Sequence, residues 1–300
     1  MTLQGNGRAV VIMMLAMACF IFNDSFVKLV SSHLPLGQIM FLRSLLAMAL
    51  LLGICLANGS IYHFGRLQHP LVVLRVVTEA LATVFYLTAL FHLPIANVTS
   101  ILQALPLMIT AGAAVFLGAP VGWRRWSAIG VGFFGVLVIV RPGLAGFDAW
   151  SLMALVGVVC MAVRDLGTSL LPKTIPTLGV TFAALAGVAV TGLAMAVGET
   201  WVMPSLLDIV FLAAAASFIL VGYITLIHAM RTGDIAVVAP FRYSIILWAI
   251  LIGYLVWGDI PDLYTLVGVA ILVATGIYTL MRERKLMKEA GPAASSPPLP

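Results

Sequence analysis

Seven ionisable side chains stand within or beside long apolar runs of this 300-residue chain: Asp24, Arg43, Arg75, Glu79, Arg164, Asp165 and Arg242. A charge at the centre of a membrane span costs about 2.5–3.5 kcal/mol on insertion-derived scales, so such groups face one another, a wet cavity or a ligand. They do not assemble into covalent chemistry. No nucleophile triad, metal-ligand spacing or phosphate loop accompanies them, and His92 and His228 fall at span ends with no partner at ligand spacing. Acids and arginines at depth can bind a charged solute, carry a proton, gate a path or simply neutralise each other.

Asp24 closes the stretch CFIFND, and Asp165 closes CMAVRD, 141 residues later. Asp24 and Arg43 fall toward one end of the first two spans, and Asp165 and Arg242 toward the opposite end of the sixth and ninth. Each pair can meet across helices, as a gate, as a substrate contact or as a structural link. Glu79 follows Arg75 by four residues, so one helical turn brings the two together. At a rise of about 1.5 Å per residue it lies more than about ten ångströms into its span. It is a candidate for coupling transport to a proton or cation, and it can equally be neutralised by Arg75. The segment APFRYS puts Pro240 inside a span beside Arg242 and Tyr243. Broken helices line binding sites in membrane carriers, and Gln103 stands near the corresponding place in the fourth span. The expected substrate or gate residues are therefore Asp24, Arg43, Asp165, Arg242, Tyr243 and Gln103, with Glu79 for coupling. No metal and no cofactor is expected.

The elements that position these groups follow from composition. The chain is 62% hydrophobic and 9% charged, with a mean hydropathy of +1.14. A soluble domain carries roughly a quarter charged residues, so the solvent expected for this surface is lipid. The net charge of +5 does not indicate nucleic acid, because the charges separate apolar runs and do not share one face. Cys19, Cys55 and Cys160 lie inside apolar runs and read as small hydrophobes. The N-terminal run ends in Asn23-Asp24 without a small-residue cleavage site, and reads as a first span and not a signal peptide.

Stretches near the roughly 20 residues that cross a bilayer occur at 9–30, 36–57, 71–91, 95–117, 126–140, 150–171, 178–197, 206–229, 235–257 and 263–281. Short spacers carrying Pro35, Pro94, Pro120, Pro142, Pro172, Pro176, Pro204 and Pro261 force neighbours antiparallel. With the N-terminus inside, the interior holds Arg8, Arg66, Arg124, Arg125, Lys173, Arg231, Arg282, Arg284, Lys285 and Lys288, and the exterior only Lys28 and Arg141. That bias places both termini in the cytoplasm.

Overlaying CFIFND on CMAVRD brings Pro35 onto Pro176 and Phe41 onto Phe182. Farther on, FYLTALFHLPIA resembles GYITLIHAMRTGDIA, and Gly130 falls near Gly268. The chain reads as two copies of a five-span unit, 8–143 and 148–282, and a basic tail, 283–300, too polar and Pro/Ser-rich to fold. Five is odd, so the second copy enters the membrane from the opposite side, the inverted repeat of many secondary carriers. GVGFFG matches a dinucleotide fingerprint by letter only; inside a span its glycines permit close helix packing.

Two long segments, ALFHLPIANVTSILQALPLMITAGAAVFLGAPVGWRRWSAIGVGFFGVLVIVRPG and HAMRTGDIAVVAPFRYSIILWAILIGYLVWGDIPDLYTLVGVAILVATGIY, resemble the EamA domain of the drug/metabolite transporter superfamily. The resemblance implies an all-α membrane protein of ten helices in two inverted five-helix repeats. It further implies cytoplasmic termini, a central cavity and transport of small organic metabolites, often outward. One departure is Gly118-Ala119, where the second half keeps Gly258-Asp259. The expectation is an alternating-access exporter of amino acids or related zwitterions in a bacterial inner membrane, with proton coupling as a further expectation. Two other readings stand beside it. One is an importer of a vitamin- or nucleoside-like metabolite stacked on Phe22, Phe85, Tyr86, Tyr243 or Trp248. The other is a non-transporting scaffold, whose buried charges would all be neutralised. An integral-membrane enzyme would need a polar catalytic cluster that the sequence lacks.

Overall fold

The computed structural model describes residues 3–57, 69–118, 122–141, 148–172, 174–175, 177–232 and 238–289. Arg66, Lys173, Pro176 and residues 290–300 lie outside them.

Among the described residues all regular structure is helical. The helices are α1 (Leu3–Val30), α2 (Leu36–Ala57), α3 (Pro70–His92), α4 (Ile95–Leu102), α5 (Leu105–Phe116), α6 (Trp123–Val140), α7 (Ala149–Ser169), α8 (Thr177–Met195) and α9 (Leu206–Thr232). A 3-10 turn (Ala239–Tyr243) then leads into α10 (Ser244–Trp257), and α11 (Leu263–Glu289) ends the description. Among the described residues, nine stretches are long and apolar enough to cross a membrane, and Leu263–Thr279 is a shorter apolar tenth. A lipid-facing chain must satisfy its backbone internally, which only helices achieve in a bundle of this kind.

Two spans are interrupted, the ninth at the proline that the sequence placed inside it. The fourth, Ile95–Phe116, is broken between α4 and α5, because Pro106 cannot donate to the carbonyl one turn back. The ninth opens as the 3-10 turn around Pro240. The last helix continues through 283–289, so the tail expected to be unfolded from 283 begins no earlier than 290.

The packing has two-fold logic. Let α1, α2, α3, α4/α5 and α6 correspond to α7, α8, α9, the 3-10 turn with α10, and α11. The contact of α1 with α9 then has its counterpart in α7 with α3, α2 with α9 in α8 with α3, and α1 with α10 in α7 with α4 and α5. The pairs α2 with α8 and α6 with α11 map onto themselves. Both self-paired crossings are made at glycines. A Cβ on Gly192 would lie 2.5 Å from the Gly37 carbonyl oxygen, and one on Gly268 would lie 2.7 Å from that of Gly135. Of the GVGFFG glycines, Gly132 and Gly135 serve helix packing, whereas Gly130 faces open space.

Aromatic rings fill the α1–α9 seam: Phe22 stacks on Phe218 with centroids 5.2 Å apart, and Phe26 meets Phe211 at 5.4 Å. Large apolar side chains such as Leu45, Val73, Phe134, Leu247 and Leu255 cover the outside. One end of the bundle, here the Lys28 end, gathers the 1–2, 3–4 and 8–9 connections; the other, the Arg75 end, carries the start of α3 and the close of α7.

Candidate functional site

The buried polar groups form two clusters at different depths. In the first, Tyr86 on α3 donates to Asp24 Oδ2 on α1 at 2.7 Å, and Asn23 Nδ2 donates to Asp24 Oδ1 at 2.9 Å. Arg43 on α2 reaches Asn23 Oδ1 at 3.5 Å. Asp24 is 8% and Tyr86 7% exposed, so this carboxylate is sealed from water and satisfied by protein donors. Asp24 lies six residues from Val30, Arg43 seven from Leu36 and Tyr86 six from His92. The three share one layer, about 9–10 Å from the Lys28 end.

The second cluster lies toward the other end. Glu79 Oε1 meets Arg164 Nη1 at 3.1 Å, and Glu79 Oε2 lies 3.7 Å from Arg75 Nη2. Arg164 Nε also holds Asp165 Oδ1 at 2.7 Å, and Arg75 Nη1 donates to Thr168 Oγ1 at 2.6 Å. Arg75 and Thr168 thus tie α3 to α7 one turn below the acid. Arg43 feels the charges of both Asp24 and Glu79, and so stands between the clusters.

Asp24 and Asp165, equivalent in the repeat, do occupy layers toward opposite ends. The pairs expected around them differ from those observed. Asp24 is bonded to Tyr86 and Asn23, while Arg43 acts on it by charge and through its contact with Asn23 and makes no direct hydrogen bond to it. Asp165 is held by its own neighbour Arg164 and not by Arg242. Glu79 is engaged by Arg164 as well as by the expected Arg75.

Arg242 is the outlier. It is exposed, its charge acts within reach of Asp165, Tyr223 and Tyr243, and no hydrogen bond or ion pair joins it to the described residues. Tyr243 is buried, with its hydroxyl packed on the backbone of Gly276 in α11, where any Cβ would collide with it. Gln103 sits in the break between α4 and α5, as its position in the fourth span suggested. Among the described residues no group of three His, Cys, Asp or Glu could hold a metal ion.

Three participants were not expected in these roles. Asn23 and Thr168 are small polar residues with no charge to mark them. Tyr223 is half-exposed at 48%, sets its ring edge-on to Phe20 at 5.2 Å, and lies in reach of Arg164, Glu79 and Asp165. Its signal was in the repeat: FYLTALF laid on GYITLIH puts Tyr86 on Tyr223.

An all-helical bundle of apolar spans in two related halves, with interrupted helices and deep charges, defines an integral membrane protein of the transporter kind. Comparison with known proteins gives the family. The model of the EamA-like transporter family matches residues 7–141 and again 148–282, and the chain belongs to that family. The pseudopaline exporter CntI of Pseudomonas aeruginosa is 27% identical over 91% of this chain and 96% of its own. An S-adenosylmethionine uptake transporter of Rickettsia conorii is 23% identical over 88% and 90%, and a riboflavin transporter of Rhizobium johnstonii 28% over 73% and 72%. A crystal structure covering 93% of this chain superposes with a TM-score of 0.61 at 18% identity, a likeness of fold. The chain is a small-molecule transporter.

Proposed function

We propose that this protein is an alternating-access exporter of amino acids or related zwitterions in a bacterial inner membrane, with both termini cytoplasmic and the repeats 8–143 and 148–282 as its two moving units. The observation that carries the substrate class is Arg242: an accessible guanidinium without a partner among the described residues, near the carboxylate of Asp165. A free cation beside an acid with an uncommitted oxygen offers one contact for a carboxylate and one for an ammonium. The scaffold reading gives no role to an exposed guanidinium that has no partner among the described residues, as Arg242 has none. Against the stacking reading, the face of Phe22 is already stacked on Phe218, and the hydroxyl of Tyr243 is packed on Gly276.

Orientation rests on the Lys and Arg bias of the connections, which makes the Arg75 end cytoplasmic. The relatives include both an exporter and an uptake carrier; export is favoured by the family's habit of moving metabolites outward. Glu79 is the coupling candidate, because a group between two arginines near mid-span can change its partners as helices move.

Counterflow in proteoliposomes tests the reading. Vesicles preloaded with one class from a panel of neutral amino acids, nucleosides and vitamins are offered the labelled compound. Entry against amino-acid preload, lost in Arg242→Ala and in Asp24→Asn with both variants folded, is the expected result. Exchange against nucleosides or vitamins only would overturn the substrate class, and no exchange for any class would overturn the transport mode.

A further inference from the structure

The repeat pairs Asp24 with Asp165 and Tyr86 with Tyr223, yet the structure treats the two pairs differently. The residue before each acid does the same thing in both halves: Asn23 bonds Asp24 at 2.9 Å, and Arg164 bonds Asp165 at 2.7 Å. The tyrosines diverge. Tyr86 donates to Asp24 at 2.7 Å with both groups buried. Tyr223 makes no hydrogen bond to Asp165, although each lies in the other's electrostatic reach; it is 48% exposed, and the Asp165 side chain 33%. One bond is made and its symmetry mate is open.

Described ties between the halves occur at both ends: toward the Arg75 end Glu79 meets Arg164 at 3.1 Å and Arg75 donates to Thr168 at 2.6 Å. At the Lys28 end, Gly37 N donates to both Glu199 oxygens at 3.1 and 3.0 Å, and Gln38 exchanges hydrogen bonds with the Val202 backbone at 2.6 and 3.0 Å. His33 meets Asp208 at 3.3 Å, Arg141 clasps Asp262, and His92 stacks on Trp150 at 3.7 Å. Lys28 donates to the Leu93 carbonyl within the first half and lies over Trp257 of the second half at 5.2 Å. The Asp24–Tyr86 bond, made within the first half, lies deeper than these contacts toward the same end.

We infer that Tyr86 and Tyr223 are alternating gate residues: Tyr86 on Asp24 seals the Lys28 end in this conformer, and Tyr223 closes on Asp165 when the Arg75 end seals. The assignment rests on the carrier reading above. In a protein built from two inverted copies, exchanging the conformations of the copies generates the opposite state, so a bond made in one copy and open in the other marks what must trade places. The carboxylate has a vacant role waiting in the second half. Asp165 Oδ1 is held by Arg164, while Oδ2 is left for the phenol.

The test uses the position of the equilibrium and needs no substrate. Val27, fully buried near the Lys28 end, is replaced by cysteine in a background where Cys19, Cys55 and Cys160 are alanine, and its maleimide labelling rate is followed in solute-free proteoliposomes. Tyr86→Phe removes the bond present here and should speed labelling by roughly tenfold, as loss of a hydrogen bond to a carboxylate implies. Tyr223→Phe removes the bond of the opposite state and should slow it by a similar factor. Opposite signs from equivalent substitutions are the prediction; the same sign, or no effect of Tyr223→Phe, overturns it. If either phenylalanine variant fails to fold, Asp24→Asn and Asp165→Asn carry the same pair of signs. Because no solute is present, failure of counterflow leaves this result readable, and failure here leaves the substrate class untouched.

Discussion

Arg242 and Glu79 meet the same cost of charge at depth in opposite ways. Glu79 has each oxygen against a guanidinium, with Arg164 at 3.1 Å and Arg75 at 3.7 Å. Taking up a proton there means giving up those contacts, which a helix movement can accomplish. Glu79→Gln is therefore expected to abolish gradient-driven flux while leaving exchange intact. It should also lower stability, since two arginines lose their shared counter-charge. Unchanged gradient-driven flux in the folded variant would remove Glu79 from coupling. For Arg242, a lost charge-assisted contact of about 1.5–3 kcal/mol predicts a KM raised at least about tenfold in Arg242→Gln, measured by counterflow. At this scale the sequence was legible where a charge broke an apolar run, as at Asp24, Asp165 and Arg242. It was silent about Asn23 and Thr168, because an uncharged polar residue in a span carries little penalty and so little signal. Partners were harder still: Arg164 takes both Glu79 and Asp165 because its fork reaches two acids at once, which spacing alone does not reveal.

Helices in this bundle meet closely where glycine allows it. Gly192 of α8 lies against Gly37 of α2, and a Cβ there would stand 2.5 Å from the Gly37 carbonyl oxygen and 2.8 Å from the Phe41 nitrogen. Backbone cannot yield as a side chain does, so Gly192→Ala should destabilise by about 1–3 kcal/mol, seen as a lower Tm in detergent. Gly130→Ala, where a Cβ meets open space, is the matched control and should leave the Tm unchanged or raised. The α6–α11 pair carries a second device. Arg141 ends α6 in the left-handed conformation at φ 50°, donates to Asp262, and lies 4.4 Å from the Tyr264 ring centre. Burial works to raise the Asp262 carboxyl, but hydrogen bonds from Arg141 and Thr265 and the Arg141 charge outweigh it and hold it below the ordinary range. A lowered carboxyl stabilises above its unfolded value of about 3.9, and that contribution fades as pH falls through the folded value. Asp262→Asn should thus lower the Tm at pH 7, and the gap from the parent should close as the pH is taken below about 4. The spans themselves were legible from apolar length. Their interruptions were half legible: Pro240 announced the ninth-span turn, whereas the break at Gln103 needed Pro106 to be read as a helix breaker within an apparently continuous run.

The whole molecule is organised by its repeat. Two family matches in one chain, equivalent helix contacts in the two halves and glycine crossings on the self-paired helices describe one plan used twice. The sequence carried this in two short similarities and a count of spans, since duplication leaves a register that periodicity does not. What it did not carry is that Tyr86 is bonded to Asp24 while Tyr223 is not bonded to Asp165, because that is a property of the conformation and not of the residue types. The bonded Tyr86 and Asp24 and the unbonded Tyr223 and Asp165 make the proposed alternation the central claim. Its most direct test is a pair of distances measured by electron paramagnetic resonance in liposomes. One pair of spin labels spans the Lys28 end at Ser32 and Met203, and another spans the Arg75 end at Val73 and Ile227, all four positions being exposed. The account predicts two populations at each end, with Tyr86→Phe lengthening the first distance while shortening the second. Single, unchanging distances at both ends would contradict it.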